Sequence, residues 1–507
     1  MIQSAPIKKK EPVMLTVIGI VLLIGALIAA LVLVVLPAIV NLIMSLKAFN
    51  PIKGLTNSPW VGLKNYQIVF ANPTVTKGIL SSLTHGLLSG LMLFTSSLVI
   101  GYLLLAIGKI RWLRISMATM LLIPLMIPAD ILAQAFIRLR LYQGPANTGM
   151  SLLIAAFCTV RYIGLPAILV SATISRGKRS WSVPVLAGGV VSLLVFALLG
   201  LFDYPFARLM PTKFQEILQL DAYNFNTTFL MAKYSQGAAA TIVMAVMRGL
   251  LILLASFPVS LMVKRLFPND AQFEGGGIKD RLLALILPGC VALLTTVVMV
   301  VLATAGIMGG ELTLYSSLPV HIIIAFMAAG INTVLCYNLA RPVATGGKAG
   351  RAVMLCALVL LTIVTTGDGS VSIGKFLLMR SVGAVNTWFA LLLSGISAVW
   401  GVWPLVITAR AMGVRNNKDW FRRMWKPSLA LFAMQAALLM NNSIASWVYQ
   451  KDLVHPLILA TQQMNQGGLM NLALLTLMTT ALPILLLLIV RTAFREEESL
   501  GLFLPGR

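Results

Sequence analysis

The chain of 507 residues is 59% hydrophobic and only 11% charged, with a mean hydropathy of +0.92, whereas an ordinary soluble domain is about 25% charged. That composition excludes a soluble enzyme, and at about 20 apolar residues per span the length accommodates a dozen transmembrane helices. The formal net charge of +24, from 39 Lys and Arg against 15 Asp and Glu, would suggest nucleic acid in a soluble protein, but in a membrane chain it reports on loop sidedness, and no nucleic-acid partner is expected.

Taken in chain order, Lys8 to Lys10 precede an apolar run from Val13 to Leu36. The charge order is that of a secretory signal, but the run is too long and lacks a small-residue cleavage site, so it is expected to be a retained first span. Windows of about 20 apolar residues then place twelve spans near 14–37, 79–107, 112–137, 150–174, 182–202, 238–263, 282–306, 317–340, 352–366, 386–408, 428–449 and 469–490. With the N-terminus inside, the cytoplasmic segments carry about twice as many Lys and Arg as the opposite side, which favours both termini in the cytoplasm. Cys158, Cys290, Cys336 and Cys356 all fall in apolar stretches at unrelated spacings, the pattern of small core residues rather than of disulfides or a zinc site.

The Gly-rich segment 264–281, with Pro268 and Gly275 to Gly277, divides the chain near its middle. A repeat supports this division. Ser235-Gln236-Gly237 opens a span that ends at Lys264-Arg265, and Asn465-Gln466-Gly467 opens one that ends at Arg491. Trp181-Ser182-Val183-Pro184 and Trp425-Lys426-Pro427 begin the preceding spans of the two copies. Both copies run in the same direction, so the expected architecture is two parallel halves, 1–270 and 271–507, with translocation between them.

Ser45-Leu46-Lys47-Ala48-Phe49-Asn50-Pro51 followed by Trp60-Val61-Gly62-Leu63-Lys64-Asn65-Tyr66 resembles the segment after the first span in permease subunits of carbohydrate-type ABC importers related to the maltose system. Phe376 to Gly383, leading through Asn386-Thr387-Trp388 into a span, is similar to the partner permease type, and Leu482-Pro483-Ile484-Leu485 fits its ending. The resemblance implies an all-α polytopic membrane protein of about twelve transmembrane helices, two fused six-helix type I ABC permease repeats. It further implies separate ABC-type ATPase subunits, an extracytoplasmic substrate-binding protein and a bacterial cytoplasmic membrane.

The family couples to its ATPase through a cytoplasmic E-A-A loop with a following Gly and a later Pro. The stretch of this chain that corresponds comprises Ala409, Arg410, Gly413, Arg415, Trp420, Phe421, Arg422, Arg423 and Pro427. Its Glu is missing, and Met412 stands where the family has Asp before the Gly. It is expected to form a basic amphipathic helix stopped by Pro427, offering arginines to an acidic partner. In the first half the corresponding loop is only Ser175 to Ser180, too short for a docking helix. Loss of both signatures would leave a permease-shaped subunit with a structural or assembly role.

Ionisable groups within spans are functional candidates by default. Asp130 and Gln134 share a helix face, to bind a sugar hydroxyl or to satisfy Arg161 on the next helix. Arg248 lies midway along its span, and His321 follows Pro319 near a membrane face. A secondary transporter would need an ion-coupled carboxylate, for which Asp130 is the candidate. Sugars stack on aromatic faces beside amide hydrogen bonds, and Trp400, Trp403, Gln435, Asn441 and Asn442 offer that mixture; interface anchoring and interhelical bonding are the competing roles. Gly346-Gly347-Lys348 has no preceding strand, and Ala349 stands in the Ser/Thr place of a phosphate loop, so a short cytoplasmic turn is expected. No catalytic residue, metal or cofactor is indicated.

Overall fold

The computed structural model describes residues 13–106, 111–126, 148–164, 231–247, 318–368, 373–396, 401–412 and 416–440, with a few single positions between them. Among the described residues there are helices, turns and two isolated β-bridges, and no strand. Three helical stretches, Val17–Ser45, Pro73–Leu104 and Val320–Thr345, are long and apolar enough to cross a membrane. The expected spans at 182–202, 282–306 and 469–490, and the linker 264–281, lie outside the described residues.

The first span consists of α1 (Val13–Ala30), a π-turn (Leu31–Val35) and α2 (Leu36–Ser45). Pro37 accounts for the π-turn. Its ring has no N–H and crowds the carbonyl one turn back, and just before it the Leu36 N–H reaches the Leu31 carbonyl, adding one residue to that turn. The helix thus runs past the expected end near residue 37 and stops at Ser45. Val17, Ile20, Val21, Ile24, Ile28 and Leu31 are 50–62% exposed along it, a contiguous apolar surface suited to lipid rather than water.

Beyond Ser45 the chain folds into a knot of short elements, α3 (Gly54–Asn57) and α4 (Lys64–Ala71). The residues that carry the family resemblance make it. Asn65 donates to the carbonyls of Ser45 and Lys47, both at 2.9 Å, and the Ser45 and Tyr66 hydroxyls lie 2.7 Å apart. Gly62 turns with φ +58°, a left-handed conformation that favours glycine. Lys47 is buried, yet its ammonium donates to Leu55 O at 2.7 Å and Thr56 O at 3.1 Å and sits 4.8 Å from the Trp60 ring centroid. Charge-assisted bonds of about 1.5–3 kcal/mol each offset its desolvation.

The next helix, α5 (Pro73–Ala106), begins six residues before the expected span. Asn72 explains the early start: its side chain accepts from the Thr74 N–H at 2.9 Å, and Pro73 occupies the first helical position, where a missing N–H costs nothing. On α5 pack α6 (Arg111–Met126) and α7 (Thr148–Tyr162). The apolar helix α8 (Tyr234–Met247) contributes Ala239, Ala240 and Met244 to a cluster with Val69 and Val75.

In the second half the central element is α9 (Leu318–Thr345). Around it stand α10 (Lys348–Asp368), α12 (Trp388–Gly395), α13 (Val402–Ala411) and α15 (Trp425–Met440). The turn between α9 and α10 is tight: Gly346 N–H donates to Pro342 O at 2.9 Å, and the Arg351 guanidinium donates to Gly346 O at 2.9 Å. This is the short turn expected at Gly346 to Lys348. The span expected at 386–408 is two helices, α12 ending at Gly395 and α13 beginning at Val402.

The first span packs on second-half helices at both of its ends. Near one end Gly374, in α11 (Ile373–Ser381), donates its N–H to Asn41 Oδ1 at 2.8 Å, and a side chain there would run into the Pro37 carbonyl. Met44, Ala238 and Ile373 close a shared cluster with Phe49, Tyr234 and Phe376 around it. Toward the other end the Gly19 carbonyl accepts from Arg341 of α9. Gly19 and Asn41 are separated by about 33 Å of helix at 1.5 Å per residue, close to the roughly 30 Å hydrocarbon thickness of a bilayer. The segments around 47–66, 234–238 and 373–377 therefore meet at one pole.

Candidate functional site

The stretch expected to couple to an ATPase lies at the opposite pole. Ala409 is buried in α13, and its carbonyl accepts from the Val414 N–H at 2.9 Å. Arg410 belongs to the last turns of the same helix, while Gly413 and Arg415 lie outside the described residues. The chain then forms α14 (Asn417–Arg423), capped by Asn416, whose side chain accepts from the Asp419 N–H at 2.7 Å. Pro427 does not end α14 by standing after it. It sits in the first turn of α15, where its missing N–H would have met the Arg423 carbonyl, and the chain breaks at Met424 between the two helices.

The aromatic side of α14 faces inward. Trp420 is fully buried, with its ring centroid 5.2 Å from that of Tyr337, and Phe421 lies 6.2 Å from the same ring. The opposite side is basic: Lys418, Arg422 and Arg423 are exposed, and Arg423 donates to Met412 O at 3.2 Å. Two cations in the last turn also suit the negative end of the helix dipole. Trp425 follows, half exposed, with Lys426 Nζ 5.8 Å from its ring centroid.

Arg341 holds this helix in place. The expected span ends at 340 and leaves it outside, but α9 continues to Thr345 and leaves Arg341 only 5% exposed. Its guanidinium donates to Gly19 O in α1 and to Asn417 Oδ1 at 3.0 Å, and lies 5.9 Å from the Phe421 ring centroid. One side chain thus ties α14 to the first span and to the central helix. The available signal was Arg341-Pro342 abutting an apolar run, which a hydropathy window discards as its boundary.

Of the residues expected to line a solute cavity, Gln435 and Trp403 are described. Gln435 is 1% exposed and accepts from the Thr333 hydroxyl at 3.1 Å, with Cys336 Sγ 3.9 Å from its amide nitrogen. Gly401 lies against it, where a Cβ would come 2.7 Å from Gln435 Nε2. Asn332, one residue before Thr333, donates to Gly395 O at 2.7 Å. This is a helix interface of amides and small residues. Trp403 donates its indole N–H to Thr362 Oγ1 on α10 at 3.0 Å. Asp130, Gln134, Trp400, Asn441, Asn442 and Arg248 lie outside the described residues, and with Asp130 its pairing with Arg161. Arg161 itself is half-buried in the last turn of α7, its guanidinium 5.2 Å from the Tyr162 ring centroid. His321 is buried in the first turns of α9.

A polar face on α5 was passed over in the sequence because the span around it is apolar on average. His85, Ser89 and Ser97 are 3%, 1% and 0% exposed, and His85 Nδ1 and both serine hydroxyls have no hydrogen-bond partner among the described residues. Each such buried orphan costs about 1–3 kcal/mol. The i, i+4 spacing of His85 and Ser89, repeated twice more to reach Ser97, was the signal available.

No protein-family model, curated protein or solved structure matches the chain at a significant level. The residues themselves therefore carry the functional reading.

Proposed function

We propose that the chain is the transmembrane permease subunit of an ABC importer for an oligosaccharide or another polar solute. Two fused six-helix halves, 1–270 and 271–507, span a bacterial cytoplasmic membrane with both termini inside. Separate ATPase subunits drive it, and an extracytoplasmic binding protein delivers the solute, so the chain itself is not an enzyme. The observation that carries this reading is α14: a short capped helix between two membrane-directed helices, at the pole opposite the knot, presenting Lys418, Arg422 and Arg423 outward. An acidic groove on a partner is the complement of that surface, and the Arg341 contacts would pass its displacement to α1 and α9.

A second reading rests on the same helix. Trp420 and Phe421 are spent on Tyr337 rather than shown to a partner, which suits a permease-fold subunit kept as a scaffold without an ATPase. The double substitution Arg422→Glu, Arg423→Glu separates the two. The importer reading expects solute uptake and ATPase recovery with the chain to fall at least about tenfold, since rim charges govern association, with membrane levels of the chain unchanged. Unaltered uptake and recovery would favour the scaffold.

A further inference from the structure

The hydroxyls of α5 divide by face. Thr84 and Thr95, on its exposed sides, bond back to carbonyls of their own helix at 2.9–3.1 Å. Other buried hydroxyls do the same, among them Thr159, Thr241, Thr333, Thr362 and Ser428 at 2.7–3.0 Å, whereas Thr408 Oγ1 on α13 has no partner among the described residues. Ser89 and Ser97 had the same option, one turn back along α5, and do not take it. Their hydroxyls, and the Nδ1 of His85, are buried without a hydrogen-bond partner among the described residues. Gly86 and Gly90 are buried beside them, and Leu93, on the same face between the two serines, is fully buried. On α7, which packs on α5, Ile154 and Ala155 are fully buried and Thr159 spends its hydroxyl on Ala155 O.

Three buried polar groups left unpaired on one face are costly in a dry interface, and polar sites of this kind are where buried water resides. We infer that this face of α5 is a hydrated seam that binds water at His85 and Ser89 and again at Ser97, on either side of the fully buried Leu93. His85 and Ser89 lie one turn apart, and Ser97 lies about 12 Å further along the helix, beyond Leu93. The seam is a property of α5 and its neighbours and requires no ATPase partner. It contrasts with the Gln435 interface, where the amides and hydroxyls satisfy one another.

Thiolates alkylate only where water reaches them, so the full-length chain in native membrane vesicles is treated with N-ethylmaleimide as Ser89→Cys, Ser97→Cys, Leu87→Cys or Leu91→Cys. Labelling is read peptide by peptide, so the native cysteines remain in place. Leu87 and Leu91 are 54% and 52% exposed on the outer face of the same helix and report the lipid side. The seam predicts labelling of the two serine positions at least about tenfold faster than of the two leucine positions. Equal rates at all four positions, slow or fast, would overturn it. Hydroxyl-radical footprinting of the unmodified protein provides a second readout that needs no variant: oxidation at His85 is expected, and its absence with oxidation elsewhere in the chain would overturn the seam.

Discussion

Asn332 and Thr333, buried on α9, and His85, Ser89 and Ser97, buried on α5, are polar residues of the same kind that meet opposite fates. On α9, Asn332 reaches the Gly395 carbonyl, and Thr333 shares its hydroxyl hydrogen between Ala329 O of its own helix and Gln435, so both residues join α9 to a neighbour. On α5, His85, Ser89 and Ser97 reach nothing among the described residues. Satisfied polar groups in a membrane core act as glue worth roughly 0.6–2 kcal/mol per contact. Unsatisfied ones contribute no such glue, and their presence points to a ligand or to water. Residue type alone does not separate the two cases; the partner does.

The largest expected break in this picture is at Arg341, where the glue is charged. Arg341→Ala should remove the bonds to Gly19 and Asn417 together and cost about 3 kcal/mol or more, since charge-assisted bonds are worth about 1.5–3 kcal/mol each. A large fall in thermal unfolding temperature in detergent is the expected readout, with partial recovery in Arg341→Lys, which keeps the charge but not the planar fork. A smaller break is Gly401→Ala. Its methyl would press on Gln435, on Cys336 Sγ at 3.0 Å and on a Leu431 methyl at 3.0 Å, an overpacking cost of about 1–3 kcal/mol visible as a lowered unfolding temperature. The smallest effects sharpen the contrast directly. Thr333→Val should cost about 1 kcal/mol because it strands Gln435, whereas Ser89→Ala should change stability by less than about 0.5 kcal/mol because no bond within the protein is lost. Equal losses from the two in parallel melts would mean that the α5 hydroxyl is paired after all.

Much of the local architecture was legible in the residues. Ser45, Asn65 and Tyr66, singled out as a motif, make the hydrogen bonds of the knot, and Gly62 makes its turn. Where the residues are described, the apolar windows fall on helices but miss their ends, because hydropathy is blind to capping: Asn72 and Pro73 start α5 early, and Asn41 and Ser45 carry the first span past its apolar core by bonding to Gly374 and Tyr66. Arg341 was misplaced for the same reason, as a window stops at the first charge whether or not that charge is buried. Gln435 was open between solute binding and helix bonding, and only its neighbours across two other helices, Thr333 and Gly401, show which contacts it makes. His85 escaped because an average over 20 residues conceals one face.

The permease proposal is tested most directly by purifying the chain from its native host in a mild detergent and identifying what comes with it in stoichiometric amounts. An ABC-type ATPase together with a solute-binding protein is the expected result. Their absence, with other membrane subunits in constant ratio instead, would contradict the importer and leave the permease-like helices as a scaffold.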